Sequence, residues 1–141
     1  MKYLLLAAIF WTAPASALAQ PSPISCGQTL YIAPMQQGLD GYIRAQLVNN
    51  GFPLTVTTVE QKADLIMSGD SQTFKSHWYN SSTANKMTGN VTITDRSGKV
   101  VWAGSAGDRS LWWGNMAKHG PEKVAKRIVE RLMKGAPKHC N

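Results

Sequence analysis

The chain contains two cysteines, and they stand near its opposite ends, at Cys26 and Cys140 of 141 residues. If they pair, the first and last elements of the domain must meet. That excludes any fold in which the termini diverge. Closing a loop of roughly 100 residues stabilises a domain by about 4–5 kcal/mol in the chain-entropy treatment, less any strain in the native bridge. Metal binding is the other common use of paired thiols. Here no Cys or His neighbour stands at metal-ligand spacing, so neither a metal site nor a cofactor is expected.

A disulfide needs an oxidising compartment, and the N-terminus points to one. In "MKYLLLAAIFWTAPASALAQPSP", Lys2 precedes an apolar run from Leu4 to Trp11. Small residues follow, and Ala17-Leu18-Ala19 has the form of a signal peptidase site. The run is well short of the roughly 20 apolar residues that span a bilayer. Residues 1–19 read as a cleaved secretory signal and Gln20 as the mature N-terminus. A retained N-terminal anchor is the alternative. No later segment is apolar enough to cross a membrane, so the expected location is periplasmic or secreted. Pro23 occupies the place where a lipoprotein cleavage site has a leucine-like residue ahead of Cys26, which argues against a lipid anchor.

Cleavage leaves 122 residues, enough for one domain with one modest core. Residues 20–28 read as an N-terminal extension and residues 29–141 as a single domain. "TLYIAPM" (Thr29–Met35) is a short apolar strand ended by Pro34. In "GLDGYIRAQLVNNG", Leu39, Ile43 and Leu47 form one helical stripe with Tyr42 beside it, and Asn50-Gly51 then Pro53 stop the helix. "PLTVTTV" (Pro53–Val59) alternates as a half-buried strand, and Leu65–Met67 begins another. Lys75–Lys86 is polar and turn-rich, like a hairpin tip. Val91 and Ile93 then share one face of a strand. Asp95-Arg96-Ser97-Gly98 turns the chain, with Gly98 suited to positive φ, and Val100–Ala103 returns. A closing helix from about Pro121 to Lys134 has Val124, Ile128 and Leu132 as its stripe, with Ala125 and Val129 alongside. The predicted architecture is α+β, in the order β-α-β-β-β-β-α. It has a single, mainly antiparallel sheet of about five strands with two helices on one face.

The formal charge is +7, and it is not evenly spread. From Lys118 to Asn141 seven Lys/Arg face two Glu, whereas Gln20–Ala117 is nearly neutral. One reading makes Lys123, Lys126, Arg127 and Arg131 a contact surface for anionic lipid or another acidic envelope polymer. The other makes them a solvated helix face. Nucleic acid suits an exported chain poorly, despite the basic composition.

"ADLIMSG" (Ala63–Gly69) and "VTITDRSGKVVWAG" (Val91–Gly104) resemble small periplasmic α/β domains. These are the curli-secretion channel lipoprotein, the lipoprotein activators of penicillin-binding proteins and the N-terminal domain of the Tol-Pal translocation protein. The resemblance covers most of Leu30–Met133 and is a pattern of strands and turns. Those domains often carry a helix before the Ala-Asp strand, and "TVTTVEQK" is too short for one. The full arrangement, ending in "WAGSAGDRSLWWG", is also similar to secreted bacterial proteins with a GDRSLWWG-like segment. The resemblance implies an envelope scaffold or partner-binding module rather than an enzyme.

The segment "GDRSLWWG" (Gly107–Gly114) is the candidate site. For catalysis the candidates are Asp108, Arg109, Ser110 and His119, with His77 elsewhere, but nothing in the spacing places a base against a nucleophile. There is no G-x-S-x-G, H-E-x-x-H or P-loop, so no enzyme is expected. For binding, Trp112 and Trp113 point to opposite sides of an extended segment, and one exposed indole beside Asp108, Arg109 and His119 suits stacking on a sugar or an apolar groove. Trp78 and Tyr79 of the hairpin tip could extend that surface. The structural alternative has both indoles covering the end of a small core. Trp102 reads as a strand residue. The expected function is an exported, non-enzymatic binding or scaffold domain of the cell envelope. The alternatives are a carbohydrate-binding protein or small hydrolase using the Trp-rich loop, and a basic protein that adheres to anionic membrane. The partner is accordingly an envelope protein, a glycan or an anionic lipid surface.

Overall fold

The computed structural model describes residues 24–75, 85–108, 120–138 and 140. Its elements are β1 (Thr29–Ile32), α1 (Leu39–Asn49), β2 (Thr55–Thr57), β3 (Leu65–Lys75), β4 (Asn85–Asp95), β5 (Val100–Gly107) and α2 (Pro121–Gly135), with single 3-10 turns at Gln36–Gly38 and Glu60–Lys62. The class, the strand number and the element order agree with the sequence reading. The expected signal segment 1–19, the mature N-terminus at Gln20 and residues 76–84 of the expected hairpin tip Lys75–Lys86 lie outside the described residues, while Lys75, Asn85 and Lys86 belong to the paired strands β3 and β4.

The five strands lie in the order β2-β1-β3-β4-β5. β3, β4 and β5 are successive antiparallel neighbours, as expected. β1 pairs parallel with both β2 and β3, so the sheet is mixed, with short parallel ladders beside the longer antiparallel ones. The cause is α1. A helix between two strands carries the chain back to its starting end, so β2 re-enters parallel to β1. β1 offers β2 only the positions from Thr29 to Tyr31, which trims the expected strand over Pro53–Val59 to three residues.

Period-2 alternation puts one face of every strand under the helices. Leu30, Ile32, Leu65, Met67, Val91 and Ile93 are buried on that face. Both predicted helical stripes cover it: Leu39, Ile43 and Leu47 from α1, and Val124, Ala125, Ile128, Val129 and Leu132 from α2. The two helices also pack on each other. Both helices approach the sheet closely at Gly89 of β4. A Cβ built there would lie 2.8 Å from Val124 Cγ1 and 3.0 Å from Leu39 Cδ2. α1 ends as expected: Gly51 takes a φ of 64°, and the Phe52 N–H donates to Leu47 C=O at 2.9 Å.

Two acidic residues fasten the strands at one end of the sheet. The Thr29 N–H donates to Asp64 Oδ2 at 2.9 Å, and the Asp64 N–H returns a bond to Thr29 C=O at 3.0 Å. The starts of the parallel strands β1 and β3 are thereby locked together. In the β4–β5 turn, Asp95 accepts from the Ser97 hydroxyl (2.6 Å), the Ser97 N–H (2.8 Å) and the Lys99 N–H (3.0 Å), and Gly98 adopts the expected positive φ of 83°. From the same turn Arg96 donates to the carbonyls of Ala63 (2.7 Å) and Gln61 (2.9 Å), so it holds the chain entering β3. The ends of the domain are joined by the Cys26–Cys140 disulfide, with Cα atoms 5.3 Å apart. Ile24, two residues before the bridge, is buried in the core.

Gly89→Ala should destabilise the fold by about 1–3 kcal/mol, because the added methyl meets two core side chains. Gly41→Ala, in the first turn of α1 with nothing within 4 Å, should stabilise by about 0.5 kcal/mol. Urea midpoints of the two variants should move in opposite directions.

The Thr29 backbone bond, then the Thr29 hydroxyl, then the charge of Arg96 hold the Asp64 carboxyl below its ordinary range. Asp95 is lowered chiefly by the Ser97 hydroxyl, with the Lys99 and Ser97 N–H groups adding to it. A depressed folded pKa contributes stability that is present above the unfolded value, about 3.9, and lost as pH falls through the folded value. Asp64→Asn should therefore lower Tm at neutral pH, and its gap to the wild type should close as pH drops below about 4. A gap independent of pH would contradict the role of the charge.

Candidate functional site

Asp108 is the one residue of the proposed Trp-rich site whose environment is described. It follows directly on β5, and its N–H donates to Met87 C=O at 3.0 Å, which extends the β4–β5 ladder by one step. Its side chain is 1% exposed. Its carboxyl is thus enclosed at the end of the sheet. Arg109, Ser110, Trp112, Trp113 and His119 lie outside the described residues, as do His77, Trp78 and Tyr79.

Trp102 sits on the core side of β5, partly buried against the hydrophobic core. Its indole lies along its own strand over Gly104, where a Cβ would fall 2.4 Å from Trp102 Cη2. The far side of the ring reaches the end of α2 at Gly135. The Trp-x-Gly pair is therefore a packing unit, in line with the reading of Trp102 as a strand residue.

The basic residues of α2 fall into two groups. Lys126 is exposed and Lys123 half-buried on the helix flank away from the sheet. Arg127 and Arg131 turn to β5. Arg127 Nη1 donates to Gly107 C=O, and Arg131 Nη1 donates to Ser105 C=O. Two of the four residues considered for an anionic surface thus have a task within the fold. The i, i+4 spacing of Arg127 and Arg131 was visible in the sequence, but the strand they meet was not.

The opposite face of the sheet is a surface that the sequence reading did not single out. Its residues alternate with the buried ones: Ser68, Asp70 and Gln72 on β3, Thr88, Asn90 and Thr92 on β4, Ala103 and Ser105 on β5. Ser68, Asp70, Gln72, Asn90, Ala103 and Ser105 are exposed. No described helix packs on this face, because both helices are buried against the other one. Asn90 Nδ2 donates to Asp70 Oδ1 at 3.3 Å across the strand pair. Between β4 and β5 the small side chains of Ala103 and Ser105 leave a shallow depression of about 310 Å³, walled by Asn90 and Thr92. The face presents hydroxyl, amide and carboxylate groups on a rigid ladder. It offers hydrogen bonds, but no paired acid and base. Among the described residues no group of three or more His, Cys, Asp or Glu is placed to hold a metal ion, and no helix is long and apolar enough to cross a membrane.

No protein-family model matches the chain, and no curated protein sequence is a detectable relative. Solved structures do share its fold. The PelC dodecamer from Paraburkholderia phytofirmans matches with a TM-score of 0.54 at 14% identity, over 82% of this chain and 93% of that one. A single-substitution variant of that dodecamer, in another crystal form, matches with a TM-score of 0.54 at 15% identity, over 84% and 96% of the two chains. A minor lipoprotein from Acinetobacter baumannii aligns with a TM-score of 0.47 at 11% identity, over 76% and 90%. At such identities the likeness to PelC is one of fold: a small mixed sheet with helices on one side.

Proposed function

We propose that this chain is an exported, non-enzymatic binding or scaffold domain of the bacterial cell envelope. The observation that carries the reading is the uncovered polar face of the sheet. A domain that shields one face with two helices and leaves the other as an ordered array of Ser, Thr, Asn and Asp has a surface suited to contact and not to turnover. The Cys26–Cys140 bridge supports export, since such bonds persist in oxidising compartments. The dodecameric state of the PelC fold neighbour supports the scaffold half of the reading.

A photo-crosslinking residue at Asn90, in cells exporting the protein, should capture one discrete envelope component. The same residue at Glu130, on the outer side of α2, should not. With the crosslinker kept at position 90, Gln72→Arg with Thr92→Arg on the same face should abolish that capture and leave stability within about 0.5 kcal/mol of the wild type, as surface substitutions do. Capture only from a crosslinker at Leu111, lost in Trp113→Ala, would transfer the function to the Trp-rich loop and carbohydrate recognition. Capture from Glu130 alone, lost at high salt, would favour adhesion to anionic membrane.

A further inference from the structure

Every open sheet has two edges, and each exposes a row of backbone donors and acceptors that can pair with another chain. Here the edges are β2 and β5. β2 has three residues, too few to template a partner strand. β5 has eight, and Val100 at its start is 46% exposed. β5 is therefore the edge at risk.

The direction of its backbone groups follows from one bond. The Asp108 N–H donates inward to Met87 of β4, so Ala106 and Asp108 point their groups toward β4. The groups of Ser105 and Gly107 then point out of the sheet. Those are the two carbonyls that Arg131 and Arg127 occupy. The match is geometric. Four residues of helix advance about 6 Å, and two residues of strand about 7 Å, so arginines at i and i+4 meet successive outward carbonyls of a strand running alongside. One helical turn further on, the position is Gly135, which has no side chain to continue the row. The other end of the edge is interrupted by the register shift opposite Ile93/Thr94, a bulge that spoils regular pairing.

We propose that Arg127 and Arg131 are guards of the β5 edge. They hold shut a pairing surface, running from Ala103 to Gly107, that the same edge of a second copy would otherwise occupy. An edge meeting itself antiparallel about a two-fold axis is self-complementary by construction, with each copy supplying the donors the other needs. The guanidinium groups prevent this in two ways. They occupy the acceptors, and they set two positive charges on each copy where the copies would meet. This inference does not depend on the function proposed above, because it concerns the edge and not the polar face.

The test compares wild type, R127A/R131A, R127K/R131K and R131A by sedimentation and by amide hydrogen exchange at Ala103, Ser105 and Gly107. In the wild type these outward amides should exchange fast, while that of Ala106, directed to β4, is protected. In R127A/R131A a dimeric species should form, and the outward amides should slow by about tenfold or more as they pair across the new interface. R127K/R131K keeps the charge and should stay close to wild type. Because Arg131 is exposed, R131A should fold and show a weaker form of the same effect. Adding Ser105→Pro removes an outward N–H without touching the β4 ladder, and should return the double variant to the wild-type sedimentation state. Fast exchange in R127A/R131A with native circular dichroism would overturn the proposal, as would self-association that Ser105→Pro does not reverse. Should the double variant not fold, unchanged exchange and sedimentation in R131A would overturn it as well.

Discussion

Leu39 and Val124 meet over Gly89, and the arrangement of the domain depends on that contact. Leu39 opens α1 and Val124 lies in the first turns of α2, so the starts of both helices are pinned to the same point of β4. With their starts fixed, the two stripes run over one face and exclude water from it, which is the dominant favourable term in folding. A side chain at position 89 would lift both helices at once. The same contact explains why the other face is left open. The described residues form two α-helices, and both are committed to the side on which Gly89 lets them approach.

The residues that carry the resemblance to periplasmic domains are, in this structure, residues that hold strands together. Asp64 of the Ala-Asp pair joins the starts of β1 and β3. Asp95 shapes the β4–β5 turn, and Arg96 ties that turn to the carbonyls of Gln61 and Ala63. A short pattern of this kind can recur in proteins of different function because it solves a problem of chain geometry: how to seat a parallel strand beside an antiparallel hairpin. It also fits with a shared fold at 14% identity.

What could be read from the sequence was local. The stripes Leu39-Ile43-Leu47 and Val124-Ile128-Leu132 have the helical period, Val91-Ile93 and the Asp95–Gly98 turn have the hairpin signature, and all of these are where the pattern placed them. The two cysteines implied that the ends meet, and they do. The pairing of β1 was not local. Strand direction between β1 and its neighbours depends on where α1 delivers the chain, and nothing within "TLYIAPM" encodes it. The polar face escaped notice for a related reason. Ser68, Asp70, Asn90 and Ser105 are unremarked polar residues in three separate stretches, and only the register of three strands brings them together. Of the Trp-rich site, Asp108 could be placed on a strand end, and its burial follows from its bond to Met87.

The basic C-terminal helix shows why a count of charges is a weak guide to a surface. Seven Lys/Arg in a short segment suggest a cationic face, but a helix distributes successive residues around its axis, and neighbours in sequence serve different sides. Lys126 faces solvent. Arg127, one residue on, turns about 100° toward β5 and donates to a backbone carbonyl, and Arg131 repeats that direction one turn later. Arginine suits this position better than lysine, because its planar fork keeps donors aimed at an acceptor while the aliphatic stem packs. The positive charge left for an outside partner is therefore smaller than the composition suggests. Part of what looks like a binding surface in the sequence is the closure of a sheet edge in the fold.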